Sequence, residues 1–220
     1  MNDRMNLFTY SFALSVAHDI EDEFRYFIEN NTSNNLPYHN LYHSLCVMNE
    51  VGRMIDITDY FDLTSEEERD LLIASLYHDY HYTIGPIPDN LKVDMTVIKL
   101  PIGTSFNDRV RKLIKYTAYP YSKDIILNEN ISKIDYMGLI LREADLCQCL
   151  KDNSIQQCIF GLKDEMDPNN KITYYEFIDE YIKFIEGIKY QIVNRESKKR
   201  ELLTNLRYLK SCFSDVKEKS

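Results

Sequence analysis

The chain has 220 residues, 44% of them hydrophobic, a size and apolar content suited to one domain with a real core. Six Gly and six Pro exclude a collagenous or low-complexity chain. With 26 Lys and Arg against 35 Asp and Glu the net charge is −9, which excludes a protein whose main task is to grip a long nucleic acid. Cys46, Cys147, Cys149, Cys158 and Cys212 lack C-x-x-C spacing, so neither a disulfide framework nor a zinc ribbon is expected. Reduced thiols point to the cytoplasm, the host's if the gene is viral. The N-terminal stretch MNDRMNLFTYSFALSVAHDIEDEF carries acids early and does not read as a signal peptide. No apolar run approaches the roughly 20 residues of a membrane span, so no membrane partner is expected.

Helical periodicity dominates the chain from end to end. Residues 9–29 place Phe12, Val16, Ile20, Phe24 and Phe27 on one stripe of a single amphipathic helix, ended by Asn30 to Asn35 and Pro37. A second helix is predicted from Leu41 to Ile57, with Leu45, Met48, Val51 and Ile55 inward. Thr64 to Glu67 form a capping box for a third helix reaching about Tyr80. Gly85, Pro86 and Pro88 make 83–90 a loop, followed by shorter helices at 91–99 and 106–118. Further helices are predicted at 132–151, 154–166, 173–193 and 196–213, with a disordered KEKS tail. DPNNKITYYEF fails as a calcium loop, because Lys171 occupies a ligand position and the turn Gly is missing. The run Lys198-Lys199-Arg200 reads as a solvated helix face. No strand-like alternation persists, and the expectation is one all-α domain over 1–220.

Four of the five histidines fall in two clusters, Tyr38-His39-Asn40-Leu41-Tyr42-His43 and Tyr77-His78-Asp79-Tyr80-His81. His39 and His43 lie four apart at a helix start, so both rings can face one way. His78 and Asp79 are neighbours at the end of an apolar helix, where both side chains can bend toward one ion. Asp145 sits in LREADLCQCL, a stretch suited to burial, and a buried carboxylate needs a partner. Imidazoles with carboxylates suit Zn, Mn, Fe or Mg. His18-Asp19, a second His-Asp pair, is read as chance.

This set resembles the HD-domain metal-dependent phosphohydrolases, whose signature is H…HD…D in a helical chain. YHNLYH is still more similar to the YHN-x-x-H of class I cyclic nucleotide phosphodiesterases and of small HD-domain proteins from bacteria and phages. The resemblance covers about 36–150 and implies an HD-type helical domain with C-terminal helices packed on it. It also implies that His43, His78, Asp79 and Asp145 hold a divalent metal, and that Asp79 bridges to a weaker second ion completed largely by water. His39 matches the general acid that protonates the leaving O3′, and Asp79 would share in catalysis. The implied activity is metal-assisted hydrolysis of a 3′,5′-cyclic nucleotide or small cyclic oligonucleotide. The alternatives are an HD-type nucleotidase or alarmone phosphohydrolase, and a protein that sequesters a nucleotide without hydrolysing it.

Beyond the ligands, Asn40 and His81 are candidates for a place near the site or on the substrate. The phosphodiesterase pattern HD-x-x-H is broken here: His81 comes one residue early and Tyr82 stands in the expected place. Segment 109–123, with Arg109, Arg111, Lys112, Lys115, Lys123 and tyrosines including Tyr119, reads as a wall contacting phosphate and base or as a solvated helix face, and the resemblance of KYTAYPY to small phage-type HD-domain proteins favours the wall. Asp89-Asn90 resembles a polar pair of the small HD-domain proteins, or caps a helix. The resemblance to cyclic nucleotide phosphodiesterases also implies a purine-holding glutamine, for which Gln156, Gln157 and Gln191 are candidates, and no motif selects among them. Oligomeric state is not legible.

Overall fold

The computed structural model describes residues 2–58, 60–121, 125–151 and 155–217. Lys123 and most of the KEKS tail lie outside them. Among the described residues the chain is all-α, with no strand. Its helices are α1 (Asn2–Ala17), α2 (Glu21–Asn30), α3 (Leu41–Ile57), α4 (Ser65–Tyr77), α5 (Asp89–Lys99), α6 (Asp108–Ile114), α7 (Lys133–Asp145), α8 (Leu162–Met166), α9 (Tyr174–Gly187) and α10 (Glu196–Lys217). No helix is long and apolar enough to cross a membrane.

Apolar side chains collect in two bodies. The first is built on α2, α3, α4, α6 and α7, with Phe24, Phe27, Met48, Val51, Leu72, Ile73, Leu113 and Ile140 buried in it. The second joins Tyr38 to Leu146, Ile159, Ile178, Ile185 and Leu206 of the C-terminal helices. Two of the places where the chain crosses from one to the other flank the histidine and aspartate segments. Tyr38 belongs to the second core and Leu41 packs on the first; Ala144 belongs to the first and Leu146 to the second. His39, Asn40 and Asp145 therefore sit between the two cores.

Local deviations from the expected helices have identifiable causes. The stripe over 9–29 is two helices, because Asp19 turns with φ 54° between them, and Val16 is consequently exposed rather than in the core. Helix α4 carries the expected capping box of Thr64 and Glu67 and stops at Tyr77. The segment expected as one helix over 132–151 tightens after Asp145 into a 3₁₀ turn, Leu146–Leu150. Residues 156–161 widen into a π turn before α8. Helix α9 ends at Gly187 because the buried carboxylate of Glu143 takes the backbone N–H groups of Gln191, Ile192 and Val193. Lys199 is not solvated: its buried ammonium donates to the carbonyls of Glu186 and Ile188 at the end of α9.

Gly161 lets the π turn approach the histidine segment. A Cβ there would lie 3.0 Å from the backbone carbonyl of Pro37, which cannot swing aside as a side-chain tip can. Gly161→Ala is expected to lower stability by about 1–3 kcal/mol, the usual cost of overpacking. Urea unfolding with an unchanged m-value measures it.

Candidate metal centre

Asn40 caps α3: its Oδ1 accepts from the His43 N–H at 3.1 Å, and its Nδ2 donates to the carbonyls of Leu36 and Pro37. That cap sets His43 on the first turn of α3, facing the end of α4. His78 closes α4, and its Nδ1 lies 2.8 Å from the carbonyl of Ser75. A carbonyl only accepts, so His78 carries its proton on Nδ1 and presents a bare Nε2. His43 is oriented the same way by Gln148, whose Oε1 is 2.5 Å from its Nδ1. Gln148 lies three residues beyond Asp145, and in a 3₁₀ turn residues three apart eclipse. The tightening after Asp145 thus brings one carboxylate and one amide to the two nitrogens of the same ring.

Both Nε2 atoms point at one place. They are 3.1 Å apart, and Oδ1 of Asp145 lies 3.2 Å from that of His43 and 3.4 Å from that of His78. Oδ2 of Asp79 lies 3.2 Å from His43 Nε2 and 3.0 Å from His78 Nε2. A cation bound at about 2.1 Å has ligand–ligand edges of about 3.0 Å when octahedral and about 3.4 Å when tetrahedral. The observed separations span that interval, and His43, His78 and Asp145 form a group that could hold a metal ion.

Charge makes the same demand. Burial opposes a proton on His43, yet the carboxylates of Asp145 and Asp79 outweigh it and lift its pKa to about 10; His78 is raised likewise, against its burial, by Asp79 and Asp145. Burial also works against the charged carboxylates, and the two rings still hold Asp145 down to about 2 and Asp79 well below its usual range. The cluster favours positive charge at its centre. Two imidazolium rings with nitrogens this close would repel by about 5 kcal/mol at an effective dielectric near 20. One divalent cation supplies the charge without that repulsion, so the donor set fits a metal.

The cluster is closed on one side and open on the other. The side chains of His43 and His78 are 1% exposed, whereas Asp79, His39 and Asp145 are 11%, 12% and 22% exposed. His39 stands at that open edge with Nε2 4.0 Å from Oδ2 of Asp79. Its Nδ1 is 2.5 Å from Oε2 of Glu165 on α8. Oε1 of the same carboxylate accepts the N–H groups of Tyr38 and His39 at 2.5 and 3.1 Å. Sequence reasoning missed Glu165, one of several acids in LKDEMD and 126 residues from its partner. Gln148 was missed too, although a polar residue between Cys147 and Cys149, three after Asp145, was a usable signal.

The remaining candidates lie elsewhere or serve the fold. His81 turns its Nδ1 to the backbone N–H and hydroxyl of Thr32, away from the cluster. Arg111 is not a wall residue: its guanidinium donates to the carbonyls of Val97, Phe106 and Pro101. Arg109 pairs with the fully buried Asp70, and Lys115 forms an exposed pair with Asp94. Tyr119 is half exposed, packs edge-on against Tyr121 and Phe184, and gives its N–H to Asp89, whose carboxyl pKa burial pushes up. Gln157 accepts from Gln148, Gln191 clips the 125–127 backbone, and Gln156 is exposed. No family model, curated protein or solved structure matches the chain.

His78→Ala removes a nitrogen whose lone pair is already aimed. It is expected to abolish tight binding of Mn²⁺ or Zn²⁺, while Gln148→Ala weakens it about 10–100-fold by freeing His43 to change tautomer. Titration calorimetry on metal-stripped protein measures both.

Proposed function

We propose that the protein is a metal-dependent phosphodiesterase acting on a 3′,5′-cyclic nucleotide or a small cyclic oligonucleotide. The observation that carries this reading is the division of labour at the open edge. His43, His78 and Asp145 form a group that could hold a metal ion, Asp79 Oδ2 lies within 3.2 Å of both ring nitrogens, and a further group, His39, is anchored by a carboxylate beside them. His43, His78, Asp79 and Asp145 would hold the cation, with Asp79 the ligand nearest His39. A divalent ion there supplies Lewis-acid polarisation of a phosphoryl oxygen and a water of lowered pKa.

The chain's own residues then supply what a diester needs. Cleavage of the P–O3′ bond leaves an alkoxide, a poor leaving group unless a proton arrives as the bond breaks. His39 is the donor: Glu165 takes the Nδ1–H, so the proton to be delivered sits on Nε2, which lies 4.0 Å from Oδ2 of Asp79. The Glu165 carboxylate is placed to balance the ring while it carries both protons. The same pair in reverse readies His39 for the next cycle.

Phosphate charge favours a diester over a monoester or polyphosphate. A diester brings one negative charge per phosphate, whereas a monoester brings nearly two and calls for several converging cations. Arg109 and Arg111 are engaged within the fold, and Arg142 is buried with its guanidinium 3.8 Å from the Tyr121 ring centroid. Lys92, also buried, is held on Tyr82. This distribution supports hydrolysis of diesters and speaks against the nucleotidase and alarmone readings. Sequestration without hydrolysis leaves the His39–Glu165 pair without a task.

His39→Ala is expected to retain its metal and to lose about 10²–10⁴-fold in rate on a cyclic nucleotide, but far less on a nitrophenyl phosphodiester. Glu165→Gln should fall between wild type and His39→Ala. Equal losses on the two substrates would remove His39 from the acid role. Release of inorganic phosphate from a nucleoside monophosphate, with cyclic substrates untouched, would replace this reading by the nucleotidase.

A further inference from the structure

Tyr82 occupies the place where the HD-x-x-H pattern has its last histidine, and the backbone explains how a tyrosine serves there. His81 adopts φ 51°, a left-handed turn that sends its own ring to Thr32 and brings the next residue back toward the cluster. The Tyr82 N–H is pinned by Ser33 Oγ at 2.5 Å and by the Asp79 carbonyl at 3.1 Å. Its ring then lies on His39, with centroids 3.6 Å apart and planes inclined by 18°.

The phenol is itself held. Its oxygen accepts from Nζ of Lys92 on α5 at 3.0 Å, and Lys92 is 2% exposed. A buried ammonium is costly unless paired. Among the described residues Lys92 forms no ion pair; its hydrogen bond goes to this neutral hydroxyl. Burial lowers its pKa, as expected for such a placement.

A histidine needs more than one anchor to aim a nitrogen. The outer torsion of an imidazole is broad and roughly two-fold, so the Glu165 bond to Nδ1 leaves the plane free to rock about that contact. A ring pressed on its face cannot rock. We propose that Tyr82 and Lys92 are positioning residues for His39: the phenol ring clamps the imidazole face, Lys92 locks the phenol, and Nε2 stays directed over Asp79. The assignment rests on His39 being the proton donor. It concerns residues that act through His39 and touch no reacting atom.

The test uses the full chain with Tyr82→Leu, Tyr82→Phe and Lys92→Met, each assayed for bound Mn²⁺, for cyclic nucleotide hydrolysis and for nitrophenyl diester hydrolysis. Tyr82→Leu should keep wild-type metal content, lose about 10–100-fold on the cyclic nucleotide, the scale of a misplaced catalytic group, and change little on the nitrophenyl diester. Tyr82→Phe retains the ring and should lose less; Lys92→Met should match Tyr82→Phe. Equal losses on both substrates at unchanged metal content, or no loss in Tyr82→Leu, overturn the proposal. NMR of the His39 ring separates this from failure of the functional reading. In wild type, whatever its activity, the His39 ring protons should be shifted upfield by the phenol and Nδ1–H protected from exchange. Tyr82→Leu should abolish the upfield shift and broaden the ring resonances through rocking while the Glu165 bond keeps Nδ1–H protected, and a His39 ring that stays sharp and fixed in that variant rejects the clamp.

Discussion

Two imidazole lone pairs aimed at one point from opposite sides of a helical seam are the constraint around which this molecule is arranged. Nε2 of His43 and Nε2 of His78 face each other at 3.1 Å inside a shell with almost no solvent. Neither ring can turn away, because Gln148 and Ser75 hold the opposite nitrogens. Asp79 and Asp145 close the set with negative charge. Such an arrangement is unfavourable when empty of positive charge, so the surrounding packing must impose it.

That packing comes from both cores. The first core sets α3 against α4 and fixes the two histidines. The second pulls the chain away after Ala144, which tightens α7 into the 3₁₀ turn and delivers Asp145 and Gln148 together. The C-terminal helices are therefore more than an outer layer. They carry Glu165, which binds the backbone at Tyr38 and His39 and the ring of His39 through one carboxylate. They also carry Gln157, which holds the amide of Gln148. A truncated core ending near residue 150 would lack Glu165, which holds His39, and Gln157, which holds the amide of Gln148.

The edge of the site is built from residues with divided roles. Asn40 and His81 belong to the sequence motifs, yet their side chains serve the cap of α3 and the turn at Thr32. Tyr82, the departure from the pattern, is the residue that lies against His39. In the basic segment, Arg109 and Arg111 stabilise α6 and its neighbours. Tyr119 of that stretch is half exposed and gives its N–H to Asp89.

The helical class, the capping box at Thr64 and the grouping of His43, His78 and Asp145 as residues that could hold a metal ion were legible from the chain alone, because each rests on local chemistry: period, a hydroxyl three residues before an acid, ligand types that suit one cation. The breaks at Asp19, after Asp145 and after Gly187 were not, because each depends on a distant partner or on a backbone turn that periodicity does not register. Glu143 ends the α9 segment from 48 residues away. Arg111, Lys199 and Glu165 show the same limit, since a charged side chain reads as solvated until the fold places carbonyls or N–H groups around it. Spacing along the chain determined which residues could share an ion. Only the meeting of two cores decided which nitrogen His43 presents and how His39 is held beside it, because their partners Gln148 and Glu165 lie 105 and 126 residues away.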